Sequence, residues 1–204
     1  MSSFPALKNF VRQRKVVERC DLCSLELAPE HQHLLSMENR QISCACDACS
    51  ILFSDQTKRF RRVPRRGIFL PNFRLTDEQW NGLMLPIQLA FFFNATPEQR
   101  VVALYPSPAG AMESNLTFES WREIAAGNPI LEKMEADVEA LLVNRVGEKR
   151  EYFIAPIDEC YKLVGILRAN WRGLSGGTDA WGKINDFFAQ LKARSRVISE
   201  VANA

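Results

Sequence analysis

The hydrophobic positions of this chain change their period several times, and each change predicts an element. Near the N-terminus Leu7, Phe10 and Val11 oppose Lys8, Arg12, Arg14 and Lys15, which predicts a short amphipathic helix to about Lys15. His33-Leu34-Leu35 and Arg40-Gln41-Ile42-Ser43 flank Met37-Glu38-Asn39 and predict two short strands of a hairpin. A helical turn is expected over Asp47 to Phe53, and Gly67 to Phe73 reads as extended chain. Thr76-Asp77-Glu78-Gln79 is a capping box: Thr76 accepts a backbone N–H and Gln79 reaches back. It opens a short helix carrying Trp80, Leu83 and Met84, which Pro86 stops.

Farther on, Ile87 to Phe93 and Val101 to Tyr105 are β-rich runs with little alternation, as expected of a hairpin whose strands are largely buried. Phe118 to Ala126 is helical in pattern and ends at Gly127-Asn128-Pro129. Val138 to Val146 and Glu151 to Ile157 flank Gly147-Glu148-Lys149-Arg150 as a second hairpin. Two helices close the chain, Asp158 to Trp171 and about Thr178 to Arg196. In the second, Trp181, Ile184, Phe187, Phe188 and Leu191 recur at helical spacing and define a buried face. The body is therefore α+β, an antiparallel sheet built from two hairpins and packed with helices.

Composition narrows this little. A chain of 204 residues with 47% hydrophobic and 25% charged side chains has enough apolar material for a substantial core. No apolar run approaches the roughly 20 residues that span a bilayer. The longest, Leu85 to Phe93, contains Pro86 and Gln88. The basic N-terminus lacks the continuous apolar segment and cleavage site of a secretory signal, so a cytoplasmic location is expected. In that reducing compartment clustered thiols point to a metal rather than to disulfides.

The cysteines change the picture. Five of six, and both histidines, fall between Cys20 and Cys49: Cys20-x-x-Cys23, His31-x-His33 and Cys44-x-Cys46-x-x-Cys49. A tetrahedral ion takes four ligands, and each Cys-x-x-Cys turn presents two sulfurs to one side of it. Cys20, Cys23, Cys46 and Cys49 are therefore the expected ligands, with zinc the expected ion. A knuckle, a hairpin and a second knuckle make a small zinc-ribbon or treble-clef-like N-terminal module. Cys44, His31 and His33 are surplus donors: they are ordinary hairpin residues, or they complete a mixed or second site, and Cys44 could also replace Cys46 as the partner of Cys49. Iron is the alternative metal. Rubredoxin knuckles are followed by glycine, whereas Ser24 and Ser50 stand here, and ferredoxin spacings are not matched.

Charge supplies the boundary. Residues 1–66 carry 12 Lys+Arg against 7 Asp+Glu, and the remainder 14 against 17. The excess is concentrated from Lys58 to Arg66. The expected division is a metal-binding module at 1–57, a basic linker at 58–66 and the α+β body at 67–204. The basic run next to a zinc module invites a nucleic-acid reading, but a solvated linker, or pairing of the arginines with the acidic body, is the expected outcome.

The body offers no catalytic set. Tyr105-Pro106-Ser107-Pro108-Ala109-Gly110, followed by Glu113 and Ser114, is a turn able to hold a ligand but not a nucleophile elbow. No histidine follows His33, which excludes a Ser-His-Asp site confined to the body. Asp137, Glu139 and Asp158 are carboxylates at element ends, and nothing fixes two of them at a catalytic separation. Cys160 reads as a small core residue. The loop Arg172 to Gly177 lacks the G-K-[ST] of a phosphate-binding loop.

Taken as a set, the Cys20–Cys23 and Cys44–Cys49 blocks, His31-x-His33-Leu34-Leu35, Tyr105–Gly110 with Glu113-Ser114, Asp137–Arg145, Pro156–Tyr161 and Trp171-Arg172-Gly173 resemble a family of uncharacterised bacterial proteins often encoded beside high-affinity nickel–iron uptake hydrogenases. The resemblance implies an accessory role in hydrogenase assembly or electron transfer, with a hydrogenase or its maturation factors as protein partner, and carries no catalytic roles. The function expected is thus a zinc-stabilised accessory or interaction protein of a hydrogenase-type metalloenzyme system. The alternatives are a rubredoxin-like iron or thiol redox protein and a zinc-ribbon nucleic-acid binder. Metal analysis of anaerobically purified protein is expected to give zinc. Iron with thiolate charge-transfer absorption and no zinc would overturn that expectation.

Overall fold

The computed structural model describes residues 17–56, 59–173 and 176–198. The amphipathic segment expected to end at Lys15 lies outside the described residues, as do Lys58 and the middle of the 172–177 loop. Where the chain is described, a three-stranded sheet and a seven-stranded sheet are joined by a shared core.

The small sheet comes first. Strands β1 (Gln32–Ser36) and β2 (Ile42–Ala45) form the expected antiparallel hairpin, and helix α1 (Asp47–Gln56) follows directly. The third strand, β3 (Phe60–Arg62), pairs with the other edge of β1. It arises within the segment expected to be a basic linker. Its backbone completes a sheet edge that would otherwise be unpaired, and its arginines find acceptors on the body. Basic composition alone did not distinguish a solvated run from a strand.

The large sheet contains β4 (Ile68–Phe69), β5 (Leu89–Ala95), β6 (Arg100–Ser107), β7 (Gly110–Ser114), β8 (Glu139–Asn144), β9 (Glu151–Pro156) and β10 (Arg196–Val197). Its order is β10-β4-β9-β8-β5-β6-β7, and the two expected hairpins meet through the β5–β8 pair. All pairs are antiparallel except β10 with β4, which run parallel. The last helix therefore stops two residues short of expectation, at Arg194, and Arg196 is spent on the sheet. The proline-rich segment Tyr105–Gly110 closes a hairpin. Ser107 pairs with Gly110 to close the β6–β7 hairpin, Gly110 takes φ 132, and the Ser107 hydroxyl accepts the Ala109 N–H.

Both faces of the large sheet are covered, which is why its strands read as continuous apolar runs. Leu89, Phe91 and Phe93 of β5, with Leu142 and Phe153, pack against α4 (Ile157–Asn170) and α5 (Gly177–Arg194). Cys160 lies inside this layer, fully buried, and burial pushes its thiol well above the ordinary range. Ala90 and Phe92 face the other way, toward Trp80 of α2 (Asp77–Gly82) and Ile124 of α3 (Phe118–Ala126). The capping box forms as expected, with Thr76 and Gln79 each accepting the other's N–H.

The small module is fastened to the α4 side of the sheet. Leu35 and Val63 join the core there. Carboxylates of the body meet basic groups of the module, among them Asp137, Glu139 and Asp158. Asp137 accepts Arg61 at 3.0 Å, Glu139 accepts Arg66 at 3.0 Å, and Asp158 bonds His33 at 2.6 Å. Asp137 also accepts both the N–H and the hydroxyl of Thr96, which hold it at a left-handed φ of 65. These are the carboxylates whose sequence positions suggested no catalytic pair, and their geometry is that of a clasp. Asp137→Ala would leave the half-buried Arg61 and the Thr96 hydroxyl without this acceptor, at a cost of about 2 kcal/mol. Urea unfolding of the variant checks this; an unchanged midpoint would contradict the clasp.

Candidate metal centre

The first thiol pair lies on a tight turn. Cys20 N–H donates to Leu25 O and Ser24 N–H to Cys20 O, folding 20–25 back on itself. Ser24 takes φ 61, the left-handed conformation that glycine adopts most readily. Serine thus makes the turn here at some strain, so the missing glycine does not distinguish this knuckle from an iron-type one. Hydrogen bonds from Asp21 N–H to Cys44 O and from Cys44 N–H to Asp21 Oδ2 tie the turn to β2.

The second pair sits at a helix start. Cys46 ends the turn out of β2, and Cys49 lies in the first turn of α1, donating its N–H to Cys46 Sγ at 3.4 Å. Knuckle, hairpin and helix in that order make the treble-clef form of the expected module. The helix N-terminus favours the negative charge of thiolates.

Together the four Sγ atoms all lie within 4.8 Å of one another. A tetrahedral ion with metal–sulfur bonds of about 2.3 Å sets its sulfurs about 3.8 Å apart. Cys23 and Cys46 already stand at 3.7 Å, far beyond a disulfide bond. All six cysteines are free. Cys20, Cys46 and Cys49 are buried and Cys23 is exposed, so the site sits at the surface of its module.

Thiol chemistry supports the fit to a cation. Burial raises Cys20, but hydrogen bonds from the backbone of Cys46, Leu22 and Cys23 outweigh it and bring the thiol down to about 6. Burial pushes Cys49 up to about 12, reinforced by the sulfurs of Cys46, Cys23 and Cys20. The Leu25 backbone hydrogen bond and the Cys49 sulfur lower Cys23, but the Cys20 sulfur, burial and the Cys46 sulfur leave it above the ordinary value. Crowded sulfurs hold protons that a divalent ion would replace.

Cys44 does not join this set. It lies opposite His33 in the β1–β2 register, and Cys44, His31 and His33 form a second group, again within 4.8 Å. That His31 and His33 share a face follows from strand alternation. That Cys44 faces them depends on the hairpin register, set by the turn in which Arg40 takes φ 57 and Gln41 N–H donates to Asn39.

Over residues 19–195 the chain matches the model of a family of unknown function, DUF5947. The chain belongs to that family. The matched span holds both donor groups and nearly all of the body. No curated protein and no solved structure matches the chain. Among the described residues, no helix is long and apolar enough to cross a membrane.

Metal loading of the sulfur set must displace the Cys49 and Cys23 protons near neutrality, whereas Cys20 is already ionised. Affinity is expected to fall as pH falls, and the dependence to steepen by one proton below about 6, where Cys20 also takes one up. Competition with a chromophoric chelator across pH measures the slope. Cys49→Ser is expected to lose the ion and expose residues 19–62 to protease ahead of the body.

Proposed function

We propose that this chain is a zinc-stabilised accessory or interaction protein, and that the system it serves is of the hydrogenase type. The observation that carries the first half is the gathering of Cys20, Cys23, Cys46 and Cys49 within 4.8 Å on a knuckle and a helix start. Four sulfurs with no oxygen or nitrogen donor suit a closed structural zinc site, which leaves no position for substrate. A module of this size needs such an ion to hold its fold.

Its surface suits docking. Leu25, Ile51 and Leu52 are all exposed, and all belong to the metal module. Exposed apolar side chains on a small rigid unit are suited to a protein partner. The hydrogenase half rests on the resemblance of the sequence blocks, not on geometry.

The redox alternative has one observation in its favour, the left-handed Ser24 that lets a knuckle form without glycine. An absorption spectrum separates it from zinc. The nucleic-acid alternative is weakened, because Arg61 and Arg66 are engaged by Glu135, Asp137 and Glu139 and Arg62 by Gln32. Affinity purification from the native host is expected to recover a hydrogenase subunit or maturation factor, and the Ile51→Ser/Leu52→Ser double variant to lose it while keeping its zinc. Deletion that leaves hydrogenase maturation and activity intact would overturn the assignment.

A further inference from the structure

The three donors left over by the sulfur site are arranged as a metal site in their own right. One ring nitrogen of His31, one of His33 and the sulfur of Cys44 lie within 4.8 Å of one another. What lies behind the rings identifies the arrangement. His31 Nδ1 is 3.0 Å from the Ala28 carbonyl oxygen, which can only accept, so Nδ1 carries the proton. Nδ1 of His33 is 2.6 Å from Asp158 Oδ2, and the carboxylate fixes its proton in the same place. Both rings are thus set with the lone pair on Nε2. Metal-binding histidines are oriented in this way, by a backbone carbonyl or a carboxylate on the far nitrogen.

His31 supplies the second, independent sign. Its side chain is only 8% exposed, and its Nε2 is buried with no hydrogen-bond partner. Leaving a buried acceptor unmatched costs about 1–3 kcal/mol, and the same imidazole belongs to the group of three donors. Cys44 faces His33 directly across the hairpin.

We propose that His31 Nε2, His33 Nε2 and Cys44 Sγ form a second metal site, for a zinc-class divalent ion, with an open fourth position. Two imidazoles and one thiolate are borderline-soft donors and suit zinc or cobalt rather than magnesium or calcium. Three protein ligands are the complement of an exchangeable site, in contrast to the closed four-sulfur one. His31 and His33 also line a cleft of about 630 Å³ between the module and the body, with Val63, Asp158 and Lys162 on its walls. A small donor ligand entering that cleft could occupy the fourth position. Asp158 is a positioning residue here, acting through His33.

The site is independent of which metal fills the sulfur set, and metal counting keeps the two apart. Full-length protein loaded anaerobically with zinc and then titrated with cobalt is expected to hold two ions per chain. Cobalt at the second site is expected to show a thiolate charge-transfer band that shifts when azide is added. Cys44→Ala and His31→Gln are expected to hold one ion each and to lose that band, while retention of the first ion reports that the module is folded. Asp158→Asn is expected to keep the band with affinity weakened about 10–100-fold. One ion per chain in the unaltered protein, or two ions unaffected by these substitutions, would overturn the site. A band insensitive to azide would overturn the open position.

Discussion

The N-terminal module turns on four sulfur atoms gathered within 4.8 Å of one another, a spacing that a single tetrahedral cation would fit. The buried cluster of the N-terminal module consists of Cys20, Leu34, Ala45, Cys46 and Cys49, three of them cysteines, with Leu22, Leu27, Phe53 and Phe60 packed against it. That is a small hydrocarbon core for a three-stranded sheet and a helix. An ion bound by these sulfurs would join a knuckle at one end of the segment to a helix start at the other, cross-linking the chain from Cys20 to Cys49 around β1 and β2.

That constraint propagates outward through polar contacts. Once β1 is fixed, its free edge takes β3, and the arginines at and beyond β3 reach the body carboxylates Asp137 and Glu139. His33, on the same strand, reaches Asp158 at the start of α4. Leu35 and Val63 of the module belong to the same apolar cluster as β5, β8 and α4, so module and body share one core. Asp158 occupies a double position: it belongs to this clasp, and it orients a histidine of the second donor group.

Much of this was legible in the sequence. The capping box at Thr76, the helix 118–126 and both hairpins were readable because each is specified by residues near in sequence. The same holds for the thiol pairs, since a Cys-x-x-Cys turn is local chemistry. Other features were not. β3 was hidden in a basic run, because a strand's membership in a sheet is decided by the partner that needs it. The segment after Tyr105–Gly110 gave no local sign of β7, which pairs across that turn.

The sequence by itself determined the inventory: seven soft donors in thirty residues, the knuckle spacings, and an α+β body with no histidine. Only the tertiary structure decided how those donors divide. Cys44 and Cys46 are two residues apart, yet one faces the histidines and the other the remaining cysteines. The reason is that β2 ends at Ala45 and the chain then turns into α1, so strand alternation no longer governs Cys46. The partners of Asp137, Glu139 and Asp158 were equally undetermined, because a carboxylate's role follows from what the fold sets against it. In all three cases that is the module carrying the metal donors.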